Sequence, residues 1–292
     1  MKRFAILVIA LFAAACGSVD INDHAVFQPP AHDAPAQTVD ELTARFPSAN
    51  LHDAVPGAVA QQGFVGARET RIAYTYITRP GANRPLIFYC GGNGSDRVHS
   101  GVYFAQKTLP WGDVVMFDYP GYGDSPGEPS SAAIDRAAPA LSALATRLAQ
   151  GRTLVFWGHS LGGFVCADVV RQTPETDAVV LEATARNAMD VGRAWRPWYA
   201  APFVRLSVDP SLARFDVADA LHDFHGPILL MGAKRDRVLP IRLSRELNAA
   251  LRTRNARVTY VEFPRAEHLS ISLQPSFSAV ASSFFASLAG HS

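Results

Sequence analysis

Leu154-Val155-Phe156-Trp157-Gly158-His159-Ser160-Leu161-Gly162-Gly163 is the stretch that decides how this chain folds. Its first four residues form an unbroken apolar run of strand length, and a helix-like segment, Leu161 to Gln172, follows the glycines. The turn between them is tight enough that side chains at the flanking glycines would strike the neighbouring strand and helix. Ser160 is thereby left at the apex, pointing out of the sheet, at a helix N-terminus whose dipole favours negative charge. A G-x-S-x-G run placed between a strand and a helix is the context in which a serine serves as a nucleophile. His159 occupies a slot facing away from that serine and reads as structural support.

Working outward, the same kind of apolar run recurs at Leu86–Cys90, Val114–Phe117, Ala178–Leu181, Ile228–Met231 and Val258–Phe263. Unbroken runs suit strands buried on both faces, as in a parallel sheet covered by helices. Helical segments lie between them. Ser131 to Gln150 is rich in Ala and Leu, contains Pro139, and stops at Gly151. Leu243, Leu247 and Leu251 give Ile241 to Arg252 one apolar face, and Phe284, Phe285 and Leu288 do the same for Phe277 to Ala289. Val59 to Val65 and Ile72 to Ile77 read as two further strands, and Thr38 with Glu41 forms a capping box opening a short helix to Phe46. Alternating strands and helices define an α/β fold with a mainly parallel central sheet flanked by helices.

A serine hydroxyl needs a base to remove its proton. In this arrangement the acid and then the base follow the serine in chain order. His268 stands in the loop after Val258–Phe263, and Asp236 stands in Gly232-Ala233-Lys234-Arg235-Asp236-Arg237-Val238-Leu239-Pro240, the loop after the preceding strand. Asp236 would orient the imidazole and stabilise its positive charge. Glu182, at the end of the strand before, is the runner-up acid. Two backbone N–H groups must meet the developing oxyanion. Leu161 supplies one, and Asn93, in the turn Gly91-Gly92-Asn93-Gly94, the other. No metal and no cofactor is required.

The ends of the chain bear on location. Lys2 and Arg3 precede an uncharged apolar stretch, Phe4 to Ala15, too short to span a bilayer core of about 30 Å. It reads as an export signal. Ala13-Ala14-Ala15-Cys16-Gly17-Ser18 is similar to a bacterial lipobox, with Ala13 where Leu is usual, which implies lipidation of Cys16; ordinary secretion is the alternative. Ser18 to Gln37, broken by Pro29, Pro30 and Pro35, reads as a spacer. With Gly17 after the cysteine, anchoring to the periplasmic side of the outer membrane is expected. Cys90 and Cys166 lie in apolar segments and are expected as buried thiols. Lys plus Arg number 27 against 26 Asp plus Glu, and no basic run stands out, which argues against nucleic acid as a partner.

Three runs together carry a resemblance: the Gly91–Gly94 turn, Asp118-Tyr119-Pro120-Gly121-Tyr122-Gly123-Asp124-Ser125-Pro126-Gly127-Glu128-Pro129-Ser130, and Gly158–Gly163. In combination, over roughly residues 60 to 290, the chain resembles the ABHD13/Bem46-like serine hydrolases of the α/β-hydrolase superfamily. It departs from many of them in carrying Cys90-Gly91 where they have His-Gly. The resemblance implies an α/β-hydrolase fold with a small cap after the sixth strand, and hydrolysis of ester, thioester or amide bonds without metal. The expected organisation is a signal peptide over 1–15, a lipid-anchored spacer and short helix over 16–55, and a hydrolase domain over 56–292 with its cap at 183–220. Trp195, Trp198, Tyr199 and Phe203 in that cap would line an acyl pocket or form the cap's apolar underside. The leading expectation is an esterase or thioesterase acting on a small or acyl-bearing substrate near a membrane. A peptidase on short peptides and a non-catalytic envelope protein on the same scaffold are the alternatives.

Overall fold

In a computed structural model describing residues 17–31, 33–81, 83–254 and 257–289, Leu154 and Phe156 face one side of their strand and Val155 and Trp157 the other. All four are buried, because side chains alternate along a strand and helices cover both faces of this one. The same alternation runs through its neighbours. Phe88, Val115, Val179 and Leu230 join one core, while Ile87, Val114, Val180 and Leu229 join the core on the opposite face.

The strands are β1 (Gly17–Ile21), β2 (Val59–Val65), β3 (Ile72–Thr78), β4 (Leu86–Cys90), β5 (Asp113–Phe117), β6 (Leu154–His159), β7 (Ala178–Glu182), β8 (Val204–Val208), β9 (Pro227–Ala233) and β10 (Arg257–Phe263). Eight of them make the central sheet in the order β10-β9-β7-β6-β4-β5-β3-β2. The pairs from β5 through β10 are parallel, and β3 and β2 continue the sheet antiparallel. From β4 the chain passes to β5 on one side and then to β6 on the other. That reversal is a topological switch point, and ligands of such sheets bind beyond the carboxyl ends of the strands that flank it, here β4 and β6.

The principal helices are α1 (Val39–Arg45), α2 (Arg97–Thr108), α3 (Ser131–Ala149), α4 (Leu161–Val170), α5 (Ala188–Trp195), α6 (Ile241–Thr253) and α7 (Phe277–Leu288). Thr38 caps α1 by accepting from the Glu41 N–H, and the Glu41 carboxylate reaches back one residue further than the usual box, to the Gln37 N–H. Pro139 lies inside α3 without ending it; the helix stops where Gln150 turns left-handed. Helix α2, which apolar periodicity does not announce, starts at Asp96, whose carboxylate accepts from the Val98 and His99 N–H groups. Inside it Arg97 is fully buried and ion-paired to Asp118 and Asp124, which holds the Asp118–Ser125 loop in place. Burial pushes the Asp118 carboxyl up to about 6 against the pull of Arg97.

Three expectations are corrected. Ser18 to Gln37 is not a free spacer: β1 pairs in parallel with β8, Phe27 is buried, and the Asn93 side chain bonds to the main chain of Val26 and Gln28. Cys90 and Cys166 are joined in a disulfide, their Cα atoms 5.8 Å apart, because α4 crosses the end of β4. Trp198, Tyr199 and Phe203 are largely exposed and Trp195 partly so, so they do not form a buried underside of the cap. The apolar stretch before Gly17, with Cys16, lies outside the described residues.

Candidate functional site

Ser160 has φ 53° and ψ −119°, a left-handed conformation that L-residues avoid and that persists only where the surroundings impose it. Here the main chain of Ser160 is clamped from both sides. Its N–H donates to the Glu182 carbonyl at 2.9 Å, and its carbonyl accepts from the Thr184 hydroxyl at 2.8 Å. The glycines leave no alternative. A Cβ on Gly158 would strike the Gly162 carbonyl, one on Gly162 would strike the Cys90 carbonyl, and one on Gly163 would strike the Thr184 side chain.

The strained turn aims the serine at the other two sequence-predicted side chains. The Ser160 hydroxyl lies 2.9 Å from His268 Nε2, and His268 Nδ1 lies 2.7 Å from Asp236 Oδ2. A carboxylate can only accept, so Nδ1 carries the proton and Nε2 is free to accept from Ser160. The other Asp236 oxygen accepts the Val238 and Leu239 N–H groups, both at 2.8 Å, which fixes the carboxylate plane. The two loops are also tied together, the Arg235 N–H donating to the Ala266 carbonyl. All three residues are mostly buried, with His268 the most open.

Glu182, the runner-up acid, is engaged elsewhere. Its carboxylate forms a buried ion pair with Lys107 and accepts from the Trp157 indole N–H at 3.0 Å. Burial opposes its ionisation, but Lys107 and these bonds outweigh that and hold it below the usual carboxylate range. Lys107 also lies 5.3 Å from the Tyr89 and Trp157 ring centres.

Leu161 begins α4, and the Gly91–Gly94 turn packs against it, since Gly162 meets the carbonyls of Cys90 and Gly91. Tyr119 and Tyr122 brace that turn, their hydroxyls donating to the Gly91 carbonyl and to Asn93 Oδ1. Apolar patterning missed both tyrosines and Lys107. The Asp118–Gly127 run held the signal for the tyrosines.

His159 joins the two halves of the site. Gly92 sits so close that a Cβ there would lie 2.7 Å from His159 Nδ1, and Nε2 is 3.0 Å from the His268 carbonyl. A carbonyl only accepts, so Nε2 carries the proton. Burial, aided by His268 and Lys107 and opposed by Glu182, lowers this imidazole from 6.5 to about 4. Its contribution to stability is therefore complete above pH 6.5 and is lost as pH falls through about 4, where the unfolded chain has already taken up its proton. The loss amounts to about 3 kcal/mol. A His159→Gln chain, titrated by thermal denaturation, should show a flatter decline of Tm over that range than the parent. Identical slopes would assign the acid sensitivity to other groups.

Comparison with known proteins agrees with this architecture. A family model described as the α/β hydrolase fold matches residues 84–216. An uncharacterized protein of Mycobacterium tuberculosis is 32% identical over 176 residues, 58% of this chain and 59% of its own length. The lysophosphatidylserine lipase ABHD12 of Rattus norvegicus is 30% identical over 200 residues, 62% of this chain and 49% of its own. The chain thus spans about half to three fifths of these relatives. Among solved structures, an esterase of Pyrococcus furiosus superposes with a TM-score of 0.60 over 89% of this chain and 97% of its own, at 15% identity. The strand order, the strained serine turn and the matched segment give this chain the α/β-hydrolase fold.

Proposed function

We propose that the chain is a serine hydrolase of the ABHD13/Bem46-like type that cleaves carboxylic ester or thioester bonds through an acyl-enzyme on Ser160. The observation that carries this reading is the unbroken relay from Ser160 Oγ through His268 to Asp236, at 2.9 and 2.7 Å. His268 Nε2 takes the hydroxyl proton as Oγ attacks the acyl carbon, and Asp236 stabilises the imidazolium that forms. The N–H groups of Leu161 and Asn93 receive the oxyanion. As the tetrahedral intermediate collapses, His268 returns its proton to the departing alkoxide or thiolate, and the acyl group stays on Ser160. A water molecule, deprotonated by the same imidazole, then releases the carboxylic acid and restores the serine. Neither metal nor cofactor takes part.

Residues 1–15 serve as an export signal, and lipidated Cys16 anchors the protein to a membrane of the cell envelope, on the periplasmic side of the outer membrane. The Cys90–Cys166 disulfide supports export, because such bonds persist outside the reducing cytosol. An acyl-bearing lipid is the favoured substrate class, in line with the lipase name of the rat relative.

A fluorophosphonate probe should form one adduct, on Ser160, readable by peptide mass spectrometry. A folded chain that takes no adduct there would overturn the catalytic reading. Panels of p-nitrophenyl esters, acyl thioesters and short peptides then sort the bond type, with ester or thioester turnover expected to exceed peptide turnover.

A further inference from the structure

The exposed aromatic turn of the cap runs directly into β8, the strand with which β1 pairs. Trp198 is 86% exposed, Tyr199 63% and Phe203 61%, within six consecutive residues. Side chains of this size are left in water singly on most surfaces, but a contiguous group marks a surface that meets something. Strand β8 begins immediately after Phe203, and β1 pairs with it in parallel from its first residue, Gly17 opposite Val204. Cys16 is one peptide unit, about 3.8 Å, before Gly17. Gly17, the first described residue, is therefore held opposite Val204, the residue after Phe203, rather than at the far end of a flexible spacer.

The composition of the patch fits one partner. Arg193, Arg196 and Arg205 flank the aromatics, and no Asp or Glu occurs from 191 to 208. Arg193 contacts Asp190 at 3.4 Å, and Asp20 lies further along β1, bonded to Ser207. Trp and Tyr with neighbouring arginines are the side chains that settle at the headgroup level of a bilayer, the rings in the interface and the guanidinium groups on anionic phosphates.

The cap helix that leads into the patch also meets a loop of the candidate active site. The Trp195 indole N–H donates to the Val238 carbonyl at 2.6 Å, two residues past Asp236. Leu269, next to His268, is exposed as well. The cap and both loops follow the carboxyl ends of β7, β9 and β10, so they stand on one edge of the sheet.

We infer that the Trp198–Phe203 turn is a membrane-contact surface, which rests on an anionic lipid leaflet and turns the Ser160 site toward it. The inference rests on the anchoring and hydrolase readings above, and its test separates them. The full-length chain is reconstituted into phosphatidylethanolamine–phosphatidylglycerol vesicles with and without brominated acyl chains, and tryptophan fluorescence is recorded. Brominated lipid should quench the parent, and Trp198→Phe should remove most of that quenching. In Trp198→Gln/Phe203→Gln, turnover of a vesicle-embedded ester should fall about tenfold while turnover of a water-soluble short ester stays unchanged. Absence of quenching, or equal quenching in Trp198→Phe, overturns the inference. So does a doubled mass in solution without quenching, which would assign the face to a second copy. Quenching with no ester turnover would defeat the hydrolase reading alone. An unmodified Cys16 in the mass spectrum, with quenching retained, would defeat the anchoring reading alone.

Discussion

Replacing Ser160 with alanine is expected to lower kcat on any ester substrate by about 10⁴–10⁶-fold, with the fold and thermal stability preserved. The loss is large because the attacking hydroxyl is the one that His268 Nε2 deprotonates, Ser160 Oγ at 2.9 Å. His268→Ala should cost about as much, and the double variant little more than either single one, since the two residues act as one unit. Asp236→Asn should cost about 10³–10⁴-fold, because an amide at 2.7 Å from Nδ1 can hold the imidazole in the wrong tautomer. Steady-state rates on a p-nitrophenyl ester, with circular dichroism melts of each variant, provide the check. A Ser160→Ala protein that keeps a tenth of the parent rate would remove Ser160 from the mechanism.

The largest effect on stability should come from Glu182→Gln. The change leaves the Lys107 ammonium, 3% exposed, without a counter-charge in an apolar layer between Tyr89 and Trp157. Losing one partner of such a pair costs about 3–5 kcal/mol. For a chain of this size that lowers Tm by roughly 10 °C. Lys107→Met/Glu182→Leu should recover most of the loss, since replacing both charges removes the desolvation penalty along with the attraction. Below its melting temperature the Glu182→Gln protein should keep ester turnover within about threefold of the parent, because the Glu182 side chain makes no bond to His268. Its main-chain carbonyl, which holds the Ser160 N–H, is untouched by the substitution. If the folded variant instead lost nearly all turnover, Glu182 rather than Asp236 would be the acid.

These two experiments mark the border between what was legible in residues and what was not. The order of Ser160, Asp236 and His268 along the chain, each just past an apolar run, sufficed to bring them together, because a parallel sheet sets every strand's carboxyl end on one edge. The glycines around Ser160 were legible for a related reason, since a turn between strand and helix leaves room for nothing larger. Asn93 and Leu161 lie on the turns that the sheet brings into contact, although the Asn93 side chain is spent on holding Val26 and Gln28.

Local patterning therefore determined the α/β alternation, the strained serine turn and the three residues of the relay. Each depends on a period of a few residues or on a short turn. Tertiary structure alone decided the rest. Whether Cys90 meets Cys166 depends on how α4 crosses β4, over a separation of 76 residues. Whether Glu182 serves Lys107 or His268 depends on which face of the sheet its side chain takes. Whether Ser18 to Ile21 dangles or folds depends on β8 offering an unpaired edge nearly two hundred residues away. Such pairings leave no local mark, because the free energy that selects them comes from surfaces that become neighbours only after the sheet has formed.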